Sequence, residues 1–306
     1  MFKIQSPKSN SSLRQAVYQT VCWFEIFKQP ASSAEIHQFL FQHKAKLAEV
    51  EKILETDPRY RRSLKFYFRR QHPELIWQRF QHQFFARKLW SVVLRAKKIF
   101  ARTPFLRQVF VANTLAFGWP SKDSDLDLFV LTSPQRLFTA RFFLTVFTHF
   151  ARRRRHGRFI AGRLCLSFFC ASSQSDLSFL KIAPQDPYLA FWIANLIPVH
   201  GSGANDFFAN NKWVKKVFPN LRNSYPVRPS LKVNFLEKLL TGPLGDLLEN
   251  RLQKWQCRRA SAHRKNHTKN AVVISDTCLK FHEIDRRKEF YQRWKKLCRA
   301  NTRDCQ

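Results

Sequence analysis

The sequence is short of glycine. Only 7 of its 306 residues are glycine, and it contains neither a Walker phosphate-binding loop nor a Gly-x-Ser-x-Gly element. The motifs of P-loop nucleotide-binding proteins and of serine hydrolases, which depend on those glycines, are therefore excluded. Aromatic residues are abundant instead, with 31 phenylalanines, and a hydrophobic content of 44% favours a folded chain over a disordered one.

Paired cysteines and long apolar runs are also missing. The seven cysteines are odd in number and form no Cys-x-x-Cys pair, which argues against a disulfide framework or a zinc site and favours a reducing, cytoplasmic location. Cys165 and Cys170 lie in one apolar segment and are expected to be core residues. The N-terminus shows no apolar signal core, and no apolar run reaches the roughly 20 residues of a spanning helix. Peripheral contact with an anionic membrane through Arg152–Arg158 stays open as an alternative.

Negative charge is scarce. The chain has 54 lysines and arginines against 21 acidic residues, a formal net charge of +33. Such a field favours polyanionic partners, namely DNA, RNA or nucleotide phosphates, or an anionic membrane face. General basicity that serves only solubility is the simpler alternative.

The first part of the chain is typical of a small helical module. Residues 13–28 and 47–55 have helical periodicity, and Ser32 and Glu35 have the spacing of a capping box. A basic, aromatic ribbon follows, so residues 1–72 are predicted to form a winged helix-turn-helix-like domain. A packing or dimerisation role is the alternative, because the third helix carries acids that would repel DNA phosphates: Glu49, Glu51 and Glu55.

The middle of the chain alternates strands and helices. After a basic linking helix at 73–100, the pattern predicts a core at 101–185 with strands at Val109–Ala112, at Asp125–Leu131 and in the segment "GRLCLSFFC". One helix is expected to begin at Asn113 or Thr114, and another with Ser133 as N-cap and Pro134 in its first turn. The predicted fold class is α+β with a short mixed sheet. Residues 186–306 are expected to form a helical C-terminal region with a basic run at 258–269.

Two aspartates stand at the mouth of the second strand, in "SKDSDLDLFVL". Side chains two residues apart on a strand point to the same side, so Asp125 and Asp127 are expected about 7 Å apart at their Cα atoms, with Leu126 directed into the core. Two close carboxylates raise each other's pKa, and a divalent cation relieves that repulsion. Oxygen ligands of this kind suit Mg²⁺, with Mn²⁺ as a second possibility. An acidic turn at an edge strand is the structural alternative.

The segment "VFVANTLAFGWPSKDSDLDLFVL" resembles the signature of the DNA polymerase β-type nucleotidyltransferase superfamily. That signature has a strand, a Gly-Ser at a helix start, a later glycine and an Asp-x-Asp on the next strand. Most of the chain is similar to an uncharacterised bacterial and archaeal group of nucleotidyltransferase-domain proteins. The resemblance implies a polymerase β-like domain. It places Thr114 at the serine, Gly118 at the later glycine, and Asp125 and Asp127 as metal-binding catalytic acids.

The sequence departs from this signature in two places. Asn113 replaces the glycine that lets the backbone approach a triphosphate, although asparagine tolerates unusual backbone angles and Thr114 keeps a hydroxyl there. The third acid of the superfamily usually lies on the following strand, which here has Ser167 at its middle and no carboxylate. Asp176 is the nearest downstream candidate.

Together these features predict a Mg²⁺-dependent enzyme that transfers a nucleotidyl group from a nucleoside triphosphate to an acceptor hydroxyl. The 113–118 turn, with Asn113, Thr114 and Gly118, would cradle the triphosphate, and Lys122 could neutralise its charge. The alternative is a catalytically decayed member of the same fold that binds nucleic acid in a regulatory role.

Overall fold

A computed structural model describes residues 10–69, 73–222, 225–226, 235–264, 272–281 and 285–300. Within these ranges the chain has a mixed α+β fold with twelve α-helices, a mixed sheet of six strands and a small sheet of three. The predicted α+β class and mixed sheet are therefore confirmed. No helix in the described ranges has the length and apolar character needed to span a bilayer.

The N-terminal part contains three helices and a three-stranded antiparallel sheet with the order β1-β3-β2. Its elements are α1 Asn10–Ile26, β1 Ala31–Ser32, α2 Ser33–Gln38, α3 Leu47–Thr56, β2 Arg61–Ser63 and β3 Phe66–Phe68. The predicted capping box is present: the Glu35 amide donates to the Ser32 hydroxyl at 3.3 Å, and the Ser32 amide donates to the Glu35 carboxylate at 2.8 Å. Three helices followed by a hairpin is the order that the sequence predicted for this part.

The central sheet has the strand order β7-β4-β5-β6-β9-β8. Its strands are β4 Leu106–Val111, β5 Leu126–Thr132, β6 Leu164–Ala171, β7 Ile197–Gly201, β8 Val272–Ile274 and β9 Cys278–Phe281. β5 and β6 are parallel and every other neighbouring pair is antiparallel. The sequence predicted β4, β5 and β6. It missed the last three, because residues 186–306 were expected to be mostly helical.

Helices cover both faces of the central sheet. They are α4 Pro73–Arg102, α5 Asn113–Ala116, α6 Leu137–Phe150, α7 Pro187–Ala194, α8 Ala204–Asn210, α9 Val214–Val217, α10 Phe235–Leu239, α11 Pro243–Arg264 and α12 Arg287–Ala300. Two 3-10 turns lie at Ser172–Gln174 and Leu177–Leu180. The basic run expected at 258–269 is described only as far as residue 264, where α11 ends.

Two hydrophobic cores lie on opposite faces of this sheet. Leu128 and Phe169 face a core shared with α4, α6 and α11. Phe129 faces a second core, to which α1, α7 and α12 contribute. Within it Trp23 of α1 is fully buried and packs edge-on against Trp294 of α12, with ring centroids 5.6 Å apart. The N-terminal helices therefore pack on the sheet through a common core.

Of the two helix starts predicted in the middle of the chain, the first is confirmed except for its N-cap and the second needs correction. α5 begins at Asn113, but its N-cap is Ala112, which makes no side-chain cap. α6 begins at Leu137, because Gln135 adopts a left-handed φ of 56° that interrupts the helix after Ser133 and Pro134. A distant carboxylate caps α6 instead: Glu249 of α11 accepts from the amides of Phe138 at 2.9 Å and Thr139 at 2.7 Å.

Candidate active site

The acid pair lies at the start of β5. Asp125 immediately precedes the strand and Asp127 is its second residue, while Leu126 between them is fully buried in the opposite core, as the alternation predicted. A carboxylate oxygen of each aspartate and the thiol sulfur of Cys165 all lie within 4.8 Å of one another. Three potential ligand atoms are thus close enough to share one metal ion.

Cys165 lies beside the acids on the following strand, which carries no third acid. On the parallel strand β6 it pairs in register with Asp127, and the next pair along is Phe129 with Phe168, so β6 carries one extra residue at a β-bulge. The thiol is half-buried beside the acids, and burial, followed by the charge of Asp127, raises its pKa to about 12. The prediction that Cys165 is a core residue was wrong, whereas Cys170 is fully buried as expected.

Asp127 lies in a setting that disfavours its charge. Burial, and secondarily the charge of Asp125, raises the pKa of its carboxyl group to about 6, although hydrogen bonds from Asn113 and Cys165 act in the opposite direction. Carboxyl groups whose pKa is raised this far by burial and a like charge are concentrated at functional sites. The electrostatics therefore favour a site that receives a cation.

Asn113 has a direct part in this arrangement. Its backbone has a left-handed φ of 52°, a conformation that asparagine tolerates better than most residues. Its side-chain oxygen accepts from the indole nitrogen of Trp192 at 2.7 Å, and its side chain also hydrogen-bonds Asp127. Asn113 is therefore held by α7 and hydrogen-bonds one of the acids.

Asp125 is paired with an arginine from a neighbouring loop. The guanidinium of Arg155 donates to the Asp125 carboxylate at 2.7 Å and lies 3.7 Å from the sulfur of Cys165. The arginine is 41% exposed, so the pair is at the edge of the site. In this arrangement the guanidinium supplies the positive charge that a metal ion would otherwise provide.

A cavity of about 320 Å³ opens beside Asp127. Its lining includes Asn113 and Thr114, and cationic residues from β9 and the start of α12: Lys280, Arg286 and Arg287. A second carboxylate, Asp285, also lines the cavity and is paired with Arg287. Aromatic side chains complete the lining: Phe117, Phe168, Tyr188, Trp192 and Phe290. Carboxylates and cations in one cavity suit a ligand that is anionic and metal-bound.

Lys280 is 8% exposed and pairs in register with Phe168. Burial, and secondarily the charge of Arg287, lowers the pKa of its ammonium group to about 8, although Asp285 raises it.

Four of the residues predicted from the sequence do not line this cavity: Asp125, Asp176, Lys122 and Gly118. Asp176 is the N-cap of the 3-10 turn Leu177–Leu180, where it accepts from the amide and hydroxyl of Ser178 at 2.9 and 2.8 Å. It is not among the cavity residues, and the structure does not place it as a third acid. Lys122 is exposed in the turn before β5. Gly118 has a left-handed φ of 77°, and no atom lies within 4 Å of the position that a Cβ would take. The backbone of the turn, rather than close approach of another group, therefore favours glycine there.

Sequence reasoning missed several residues that the fold brings to the acids. Lys280 lies in β9, within a region that was expected to be mostly helical. Arg155 belongs to the basic cluster Arg152–Arg158, which was interpreted only as a possible membrane contact. The segment "KFHEIDRR" does contain a signal, since it carries His282, Asp285 and Arg286, side chains of the kind that can face a phosphate. Of these, Asp285 and Arg286 do line the cavity, while His282 lies outside the described residues.

Replacing Cys165 with aspartate is expected to tighten Mg²⁺ binding by about tenfold or more, because a third charged oxygen joins the two present. Isothermal titration of the metal-free protein with Mg²⁺ measures this change. Cys165→Ser, which adds no charge, is the control and should bind like the wild type. Equal affinities for Cys165→Asp and Cys165→Ser would show that residue 165 does not face the cation.

Comparison of the chain with protein-family models, with curated proteins and with solved structures gives no match in any of the three.

Proposed function

We propose that this chain is a Mg²⁺-dependent nucleotidyltransferase, which transfers a nucleotidyl group from a nucleoside triphosphate to an acceptor hydroxyl. The observation that carries the proposal is the shared cavity, which is lined by Asn113, Thr114 and Asp127 together with Lys280 and Arg286. The resemblance associates Asn113, Thr114 and Asp127 with triphosphate and metal. These residues thus share one cavity with Lys280 and Arg286, to which the resemblance assigned no role. A cavity of about 320 Å³ is also of the size that small-ligand sites usually have.

Asp125 and Asp127 are the residues that would hold Mg²⁺. The fit rests on the donor set, since two adjacent carboxylates supply hard oxygen ligands and leave room for water and phosphate oxygens. The thiol of Cys165 is a soft donor that adds little for Mg²⁺ and is better tolerated by Mn²⁺. When bound, the ion would neutralise charge on the transferring phosphate and align the reacting oxygens.

Other residues that line the cavity suit the phosphates and the base of a nucleotide. Arg286 and Lys280 can neutralise phosphate oxygens that extend from the acids. Tyr188 and Phe290 stack with their rings 5.3 Å apart and 4° from parallel, and they present an aromatic surface for a base.

The proposed reaction is an in-line displacement at the α-phosphorus. The acceptor oxygen forms the new bond, the bond from the α-phosphorus to the bridging oxygen breaks, and pyrophosphate leaves with that electron pair. The hydroxyl proton passes to water. The residues described here supply alignment and charge neutralisation, which account for most of the catalysis in phosphoryl and nucleotidyl transfer.

The test is incubation of the protein with each α-³²P-labelled nucleoside triphosphate and Mg²⁺ or Mn²⁺, with total cell RNA and protein as acceptors. Label transfer by the wild type, absent from the Asp125→Asn/Asp127→Asn variant, would support the proposal. Equal labelling by both forms would refute it.

Nucleotide affinity should fall as pH rises through about 8. Lys280, whose pKa is lowered to about 8, is charged below that pH and neutral above it, so its attraction for phosphate is present at pH 7 and lost by pH 9. The charged and titratable groups that act on it are Arg287, Asp285, Cys278 and Asp186. Lys280→Met should bind Mg·ATP about tenfold more weakly at pH 7.

Isothermal titration across this pH range distinguishes the variants. Lys280→Arg stays charged and should keep its affinity at pH 9. A fall in affinity of the same size in Lys280→Arg and in the wild type would assign the pH dependence to another group.

A second candidate function is nucleic-acid binding by a catalytically inactive protein of the same fold. The observation that favours it is that β6 places a thiol, Cys165, beside Asp127 and carries no third carboxylate. It predicts salt-dependent binding of RNA or DNA with no label transfer by the wild type.

A further inference from the structure

One loop next to the site concentrates positive charge. Residues 152–163, called the arginine loop below, contain six arginines: Arg152, Arg153, Arg154, Arg155, Arg158 and Arg163. No acidic residue occurs anywhere between Leu128 and Ser175. Among the described residues, the ion pair of Arg155 with Asp125 is the one that involves this loop. The charge of the other five arginines is therefore not neutralised by a carboxylate in the described part of the chain. Arg152 and Arg158 are exposed, and Arg153, Arg154 and Arg163 are half-buried.

The arginine loop is fixed around the acid pair. The Gly162 amide donates to the Ser124 carbonyl at 2.9 Å, and the Arg163 carbonyl accepts from the Leu126 amide at 2.8 Å. These bonds lie on either side of Asp125, which Arg155 also contacts. A ligand that lies along the loop is thereby brought to the mouth of the candidate active site.

Aromatic rings are interleaved with these arginines. His149 and His156 lie with ring centroids 5.7 Å apart, and His156 and Phe159 lie 5.3 Å apart. The guanidinium groups of Arg158 and Arg163 approach the ring of Phe159 to 5.5 and 5.8 Å. Phe159 itself is 47% exposed, and nearby Phe150 at the end of α6 is 82% exposed. The surface thus alternates flat rings with guanidinium groups.

We infer that the arginine loop binds a single-stranded polynucleotide, whose terminal hydroxyl is the acceptor for the proposed transfer. Arginine binds phosphate oxygens with two parallel hydrogen bonds, and exposed rings stack on unpaired bases, so the two residue types match the backbone and the bases of one strand. A duplex would offer phosphates but keep its bases out of reach of the rings. This inference rests on the proposed function for its catalytic role, but not for the binding itself.

A membrane is less well matched to the same surface. The exposed rings alternate with charged and imidazole groups instead of forming an apolar face, and the loop is bonded to both sides of Asp125. A bilayer docked here would cover the mouth of the site.

The inference is tested by fluorescence anisotropy with a short labelled single-stranded RNA, the matching single-stranded DNA and the RNA duplex. The Arg152→Gln/Arg153→Gln/Arg158→Gln variant should bind either single strand about tenfold or more weakly, and its salt dependence should fall by about 2 in slope, at about 0.7 per phosphate contact. Phe159→Ala should weaken single-strand binding by about tenfold with little dependence on base identity. Comparison of RNA with DNA shows which sugar the acceptor carries.

The matched control is Lys212→Gln/Lys215→Gln/Lys216→Gln, which removes the same charge from exposed positions around α9. It should keep most of its affinity. Equal losses in the two triple variants would reduce the effect to net charge and overturn the inference, as would equal affinity of the wild type for duplex and single strand. Binding to vesicles rich in phosphatidylserine, in place of RNA or DNA, would assign the loop to a membrane and overturn it as well.

Binding measured on Asp127→Asn separates this inference from the proposed function. Strand binding by Asp127→Asn supports the loop assignment even if the wild type transfers no label. Transfer of label by the wild type to a small molecule or a protein, without strand binding, would overturn the loop assignment and leave the transferase proposal in place.

Discussion

Replacing Asp127 with asparagine is expected to abolish nucleotidyl transfer and, in the same protein, to raise the melting temperature of the metal-free form. The loss of activity should be about a thousandfold or more, because the variant removes one of two anionic ligands of the cation that stabilises the transferring phosphate. The gain in stability follows from the setting of the carboxylate, which burial and Asp125 make costly to ionise. Asp127→Asn should thus lower the activity and raise the stability of the same protein.

The stability effect has a defined pH dependence. In the folded chain the pKa of Asp127 is raised from 3.8 to about 6, so its ionisation opposes folding above pH 6 and has no effect below pH 3.8. Since the side chain is part-exposed to the cavity, we expect a gain of about 1–3 kcal/mol at pH 8. The melting temperatures of Asp127→Asn and the wild type should converge as the pH falls towards 4.

Thermal unfolding by circular dichroism without added metal measures this difference, and the label-transfer assay measures the activity. Asp123→Asn is the matched control, because Asp123 is exposed in the turn just before β5 and should change neither quantity. Wild-type transfer by Asp127→Asn would refute the enzymatic assignment. A lower melting temperature for Asp127→Asn would refute the electrostatic account of this carboxylate.

Replacing Arg287 with methionine should cost about 3–5 kcal/mol of folding free energy. Arg287 is 8% exposed and donates to the carboxylates of Asp186 at 2.8 Å and Asp285 at 2.6 Å, and to the Leu180 carbonyl at 2.7 Å. Asp186 is 2% exposed and caps α7 through the Leu189 amide at 2.9 Å. Without the guanidinium, a buried carboxylate loses its counter-ion.

The expected fall in melting temperature is about 6–12 °C, since each kcal/mol shifts a chain of this size by a few degrees. The control is Arg293→Met, which breaks the ion pair with Glu289, 3.7 Å apart with side chains 50% and 56% exposed, and should cost under about 0.5 kcal/mol. Adding Asp186→Asn to Arg287→Met should restore part of the stability. Equal effects of Arg287→Met and Arg293→Met would show that the buried network does not hold α12 in place.

The sequence predicted the features of this fold that depend on neighbouring residues. The helix expected at 73–100 was observed as α4, and the alternation around Asp125 correctly placed Leu126 in the core. Hydrophobic periodicity and capping residues act over a few positions, so the linear sequence contains them. The capping box at Ser32 and Glu35 belongs to the same class.

Features that depend on distant residues could not be predicted from one sequence. The start of α6 depends on Glu249, which caps Phe138 from 111 positions away. Cys165 looked like an ordinary core cysteine because its exposure depends on β5, a separate strand with which it pairs. Lys280 reaches the cavity because β9 joins β6, an antiparallel pairing that no local pattern in the segment indicates.

The first and last helices of the described chain, α1 and α12, pack against each other. The indole of Trp294 donates to the carbonyl of Gln19 across 275 positions, and β9 completes the edge of β6 only after a separation of about one hundred residues, since Cys170 pairs with Cys278. Contacts of such long range carry a large loop-closure entropy and slow folding. The segment 101–185 by itself lacks the strands on both outer sides of the sheet and the cationic wall of the cavity. The proposed chemistry therefore depends on the whole fold, and cutting out the segment that contains the acids would leave exposed strand edges in place of the cavity.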